Sequence, residues 1–333
     1  MVQFLPARHN PGTLRRWVHA ITACLPLAVL APAASAIQFD SFDAASHDRF
    51  LNNDADNPNF LLAGFDLSGI AKRGNSGSGA VLISPQHFIT ADHFKPASVN
   101  GSVTFRGTDG TDRSYTVTGY DQLTTFGDGS DLSIGTLAAP IDPFTDFINP
   151  LPIAFSPSID DFIGLEVYTF GNGDLAGRNV IIDTGIAEFG SGDPRPSVVL
   201  ATAFDTVENS GGDGNGPLTD GLGPDEAGLQ GGDSGNAALT VIDGQLAVLG
   251  AHFGIASGLP DNSLLLPFSQ DDPYFSLSTL MSPYLSQINA ITQTDGQTFQ
   301  TLTVTIPEPT TATLLLLGLT LTTLRRRSLH ATS

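Results

Sequence analysis

From about Phe60 onward, short apolar runs alternate with Gly, Asp and Pro. Runs at 80–84 (AVLIS), 87–91 (HFITA), 102–107 (SVTFRG), 114–123 (SYTVTGYDQL) and 132–137 (LSIGTL) are bounded by turn residues and rich in β-formers. The same holds at 165–171, 180–190, 198–207, 237–242, 246–254 and 263–268. Each reads as a β-strand, and strands without intervening amphipathic helices predict an all-β sandwich or barrel, not βαβ units. The exception lies within 274–292, where Leu280, Met281, Tyr284, Leu285, Ile288 and Ile291 fall at helical spacing. Pro283 suits the first turn of that helix. Residues 37–60, with the run NNDADNPN, read as an irregular lead-in, and 293–306 as a polar linker. The stretch 208–228 is Gly/Asp-rich; Asp213 and Asn215 hint at calcium, but EF-hand spacing is absent and the segment reads as a solvated acidic loop.

Both ends read as processing segments. Arg8, Arg15 and Arg16 precede an apolar run closed by Ala34-Ser35-Ala36, the pattern of a secretory signal peptide over 1–36. Pro26 and Pro32 argue against a buried helix there. At the other end, Pro307-Glu308-Pro309 leads into an apolar stretch ending at Leu324, followed by Arg325, Arg326 and Arg327. The stretch is short beside the roughly 17–25 residues of a membrane span. In order and spacing, 307–328 resembles the PEP-CTERM sorting signal, which implies a bacterial protein handed to an exosortase. That resemblance implies a cell-surface or extracellular-matrix location, with the membrane involved only through the C-terminal segment before sorting.

The chain has 333 residues, 41% of them hydrophobic, enough for one large domain or two small ones. Cys24, the only cysteine, falls in the leader, so the exported chain has no disulfides. Residues 37–306 carry eight Lys and Arg against thirty-three Asp and Glu. That balance argues against nucleic-acid and anionic-membrane partners.

The segment LQGGDSGNAAL, 229–239, sets Ser234 between glycines with Asp233 beside it. An activated serine needs a base in hydrogen-bond reach and a third group to orient that base. Residues 37–306 offer His47, in the lead-in, His87, in an exposed Pro-Gln-His turn, His93 and His252. His93 ends GAVLISPQHFITADHF, with Thr90-Ala91-Asp92 before it; Asp131 opens the strand SDLSIGTL thirty-eight residues later. In these three segments and their order the chain resembles chymotrypsin-like (trypsin-family) serine proteases over about 60–292.

The resemblance implies two six-stranded antiparallel β-barrels with a C-terminal α-helix, a protease domain over 37–292 and no metal or organic cofactor. It implies a catalytic set of His93, Asp131 and Ser234, and an oxyanion hole from the N–H groups of Gly232 and Ser234. Asp233 would support the oxyanion loop by pairing with a new N-terminal ammonium. Cleavage after Ala36 would expose Ile37, the residue type the family uses there. Ile37 lies fifty-six residues before His93, longer than such an insertion suggests, so either trimming near 52–62 or another partner for Asp233 is expected.

Departures from the pattern are local. Asp92 stands where the family has Ala and is expected to face solvent, and Asn236-Ala237 follow Gly235. The pocket-base position corresponds to Gly228, which does not support Lys or Arg specificity. His252 matches the pocket histidine of glutamyl endopeptidases, while Leu229 replaces their small hydroxyl residue; otherwise His252 is a packed strand histidine. The sequence is thus read as an exported serine endopeptidase acting on proteins or peptides, with signal peptidase and exosortase as partners during export. An inactive surface or matrix binding protein, or an esterase using the same triad, are the alternatives.

Overall fold

The computed structural model describes residues 37–52, 54–72, 79–187, 195–204, 222–257 and 274–305. The expected leader at 1–36, the expected sorting segment at 307–328, the strand expected at 263–268 and residues 208–221 of the acidic loop lie outside the described residues. No helix among the described residues is long and apolar enough to cross a membrane.

The first sheet is antiparallel and contains β1 (Val81–Ser84), β2 (His87–Ala91), β3 (Ser102–Arg106), β4 (Asp112–Thr125) and β5 (Asp128–Leu137). Its order is β1-β2-β5-β4-β3. Both edges meet residues 69–72: the Leu82 N–H donates to Gly69 O, Ala71 N–H to Ala80 O and Lys72 N–H to Thr104 O. Isolated bridges Ile70↔Val81 and Ala71↔Phe105 complete the stitch. The sheet therefore curls round with five full strands, where six were expected, and a short connecting segment satisfies its edges.

The second sheet contains β6 (Ile153–Phe155), β7 (Glu166–Phe170), β8 (Ala176–Ala187), β9 (Ser197–Ala203), β10 (Ala237–Ile242), β11 (Gln245–Ser257), β12 (Tyr274–Leu280) and β13 (Thr301–Thr303). Pairing runs β10-β7-β8-β9-β12-β11 and returns from β11 to β10, closing a six-stranded barrel. β6 and β13 continue in parallel from β11. Helix α1 (Leu285–Thr294) follows a 3₁₀ turn, Ser282–Tyr284, that contains Pro283. The protein is thus mostly β, with one closed barrel, a second curled sheet and a C-terminal helix.

Strand alternation sorts side chains into separate cores. On β1 and β2, Leu82 and Phe88 point into the first sheet's interior with Val103, Phe105 and Val117. Their neighbours Val81, Ile83 and Ile89 join Phe170, Leu239, Val248, Met281 and Ile288 in a cluster between the two sheets. Both faces of β2 are therefore buried, which explains its nearly unbroken apolar composition. Gly135 faces Phe88 across the β2–β5 ladder, and a Cβ there would fall 2.1 Å from the ring. The absent side chain is what lets the phenyl lie flat.

Several expectations need correction. The residues before Pro283 form β12, the sixth barrel strand, so the helix is shorter than its spacing suggested. His87 is fully buried at the start of β2, not exposed in a turn. The lead-in is packed: Gln38–Phe39 pairs with Ala227–Gly228, and Ile37, His47, Phe50 and Phe60 are buried. Within the polar linker, β13 pairs with β6.

Candidate active site

The β2–β5 ladder carries two of the three candidate groups. Ala91 is opposite Leu132, so Asp131 on β5 comes level with the residues just beyond β2. His93 follows there, and its backbone N–H donates to Asp131 Oδ1 at 2.9 Å. Its Nδ1 lies 2.7 Å from Asp131 Oδ2. The Asp131 side chain is 0% exposed and the His93 side chain 26%. One carboxylate thus fixes both main chain and ring of the histidine, and the ring's far nitrogen faces outward.

Ser234 comes from the turn before β10. Gly232 and Gly235 have φ of 100° and 80°, left-handed values that favour glycine. Buried Asp233 ties the turn down: Oδ1 accepts from Asn172 N–H at 2.7 Å and Oδ2 from Gln230 N–H at 2.8 Å. The β2 segment abuts this turn directly. A Cβ on Gly235 would lie 2.8 Å from Thr90 Oγ1, whose hydroxyl donates to Gly79 O at 2.9 Å. The outcome is a distance of 2.9 Å between His93 Nε2 and Ser234 Oγ.

His93, Asp131 and Ser234 therefore meet, with Gly232 and Asp233 in the same turn. Chemically, an alcohol in this position can pass its proton to the imidazole while attacking an electrophilic carbon, and the carboxylate keeps the ring in the required tautomer.

The residues expected to line a pocket sit apart from solvent. His252 is 1% exposed. Its Nε2 donates to Phe170 O at 2.7 Å and its Nδ1 accepts from Ser278 Oγ at 2.8 Å. Both ring nitrogens are engaged within the chain, as in a packed strand histidine. Gly228 is buried against Phe204, and Leu229 N–H donates to Ser276 Oγ at 2.8 Å.

Three participants escaped the sequence reading. Ser197 Oγ accepts from Asp131 N–H at 2.8 Å and donates to Arg195 O at 3.2 Å. Tyr284 OH accepts from Val198 N–H at 3.0 Å and lies 2.6 Å from Thr125 Oγ1. Burial is the main cause that pushes the Tyr284 phenol up, with the charge of Asp131 adding to it, so it stays a neutral donor. Arg195 Nη1 is 3.0 Å from Asp92 Oδ2 and 3.5 Å from Asp131 Oδ1. As one of few cations in so acidic a chain, Arg195 carried a usable signal. Ile37, which its distance along the chain had seemed to keep from Asp233, lies beside it: a Cβ on Gly171 would lie 2.6 Å from Ile37 Cβ and 3.0 Å from Asp233 Oδ1.

Asp92 does not face solvent. Its side chain is 11% exposed, and it meets Lys95 Nζ and Ser133 Oγ as well as Arg195. Burial works to raise the Asp92 pKa, but bonds from Lys95 and Ser133, with the charges of Lys95 and Arg195, hold it below the usual carboxylate range.

No family model matches the chain, and no curated protein matches it. Among solved structures, the chain is similar to the Rv3671c protease in its inactive form. The identity is 19%, over 69% of this chain and 92% of that one, with a TM-score of 0.41.

Proposed function

We propose that this protein is an exported serine endopeptidase of the chymotrypsin-like type. The observation that carries the reading is the linked trio: Ser234 Oγ 2.9 Å from His93 Nε2, and His93 Nδ1 2.7 Å from buried Asp131. The chain order His, Asp, Ser and the closed six-stranded barrel support the same class.

In the proposed reaction Ser234 Oγ bonds to the scissile carbonyl carbon while His93 Nε2 takes its proton. The carbonyl oxygen becomes an oxyanion held by the N–H groups of Gly232 and Ser234. His93 returns the proton to the leaving amine as the C–N bond breaks. Water, deprotonated by the same imidazole, then bonds to the acyl carbon; as the Ser234 Oγ–C bond breaks, the imidazolium returns the proton to Oγ and the carboxylic acid leaves. Asp131 fixes the tautomer of the neutral imidazole and stabilises the imidazolium that forms from it. The leader and the PEP-CTERM-like tail support action outside the cytoplasm, on the surface or in the matrix.

The test uses protein beginning at Ile37, treated with a fluorophosphonate probe beside a Ser234→Ala control. Labelling at Ser234, with digestion of casein, is the expected result. Labelling without proteolysis would move the assignment to an esterase. Equal signal in the control would leave a surface binding protein.

A further inference from the structure

Two carboxylates flank the His93 imidazole, one in space and one in sequence. Asp131 holds Nδ1 and has no contact with water. Asp92, the preceding residue, is nearly as enclosed. Arg195 joins them, with a single guanidinium nitrogen reaching both. It arrives from the segment that leads into β9, where Ser197 already holds the Asp131 main chain. On the other side of Asp92, Lys95 Nζ lies 2.6 Å away, and this ammonium is also 5.4 Å from the Tyr120 ring centroid. Tyr284, behind Asp131, is neutral. Among the described residues, the charges linked through these contacts to the imidazole are Asp131, Asp92, Arg195 and Lys95, two of each sign.

We infer that Arg195 and Asp92 form a charge-balanced pair that positions Asp131 and sets how strongly the His93 imidazole holds a proton. The inference rests on the proposed triad and adds to it two positioning residues. A lone guanidinium beside Asp131 would offset its charge and weaken its hold on the imidazolium. Without the guanidinium, Asp92, left to Lys95, and the unopposed Asp131 would act in the opposite sense and over-stabilise the imidazolium. Paired, each cancels the other's field at the base, while the guanidinium charge stays 3.5 Å from Asp131 Oδ1. Because the pair is only partly exposed, solvent screens it incompletely.

This arrangement predicts shifts of opposite sign, which a purely structural role does not. The readout is the rate of fluorophosphonate labelling of Ser234 against pH, whose acid limb reports protonation of the base. Arg195→Gln removes positive charge and moves the limb to higher pH, by about half a unit. Asp92→Asn removes negative charge and moves it to lower pH by a similar amount. The double variant falls back near the wild-type limb, and both single shifts shrink in high salt. Should Arg195→Gln fail to fold, Arg195→Lys keeps the charge and must leave the limb in place, while Asp92→Asn must still lower it. Limbs that coincide with wild type, or move in the same direction, overturn the pair while the triad stands. Absence of labelling in the wild-type protein overturns both.

Discussion

At the scale of single residues, Asp131 does three jobs with two oxygens and one N–H. It accepts from the His93 main chain and ring, and its own N–H is held by Ser197. An asparagine would keep the shape but offer an NH₂ to one of those donors. The ring would then turn over or take the other tautomer, leaving a protonated nitrogen facing Ser234. Asp131→Asn should therefore lower the labelling rate and kcat near neutral pH by about 10³- to 10⁴-fold, with the thermal midpoint little changed. A loss below tenfold in a folded variant would remove Asp131 from the mechanism. The residues legible in the sequence were those with a short-range signature. Gly232 and Gly235 mark a turn with positive φ, and Thr90 to His93 sit at a strand end. Ser197 and Tyr284 carry no local mark, and Arg195 only its rarity as a cation, because the fold alone brings them to Asp131.

At the scale of elements, periodicity identified strands well where only one face was buried or turn residues bounded them. It failed at β12, where residues 275–280 are all buried and alternation disappears. There the apolar positions continue into α1 at a spacing that also suits a helix. It failed for His87 too, since a polar side chain beside Pro85 and Gln86 looks exposed. Its burial depends on a distant partner: Nε2 lies 2.9 Å from Asp295 at the end of α1, and Nδ1 lies 2.8 Å from Ser84 Oγ. This pins the C-terminal helix to the first sheet. Burial outweighs the Asp295 carboxylate and lowers the His87 pKa below its ordinary 6.5. The sign follows directly. The unfolded chain binds a proton near pH 6.5 that the folded chain resists, so stability is full above that pH and falls as pH drops through the lowered value. Thermal midpoints measured between pH 7 and pH 5 should decline, and His87→Gln should flatten part of that decline. An unchanged slope in that variant would mean that His87 protonates freely in the fold.

At the scale of the whole molecule, the lead-in ties the start of the described residues to the segment that leads into the Ser234 turn. Composition gave no sign of this, since 37–60 is polar, and its pairing partners at 227–228 are far along the chain. Even so, Ile37 is 4% exposed and packs against Gly171 beside Asp233. The fifty-six residues before His93 do not keep it away, because the lead-in folds as a one-turn helix, Ala44–His47, and a hairpin of Phe50–Leu51 with Ala55–Asp56. His47 adds a tether, stacking on Phe39 and lying 3.1 Å from Asp225. Asp233 already accepts from Asn172 and Gln230, the other partner the sequence reading left open. Cleavage after Ala36 would place an ammonium where the lead-in meets that enclosed carboxylate, and a charge pair in such a place is costly to break. Protein beginning at Ile37 should therefore label at Ser234 at least about tenfold faster than protein beginning at Ser35, and Asp233→Asn should erase most of the difference. Equal rates for the two starts would mean that an ammonium at Ile37 adds nothing to the contacts from Asn172 and Gln230 that already hold the turn.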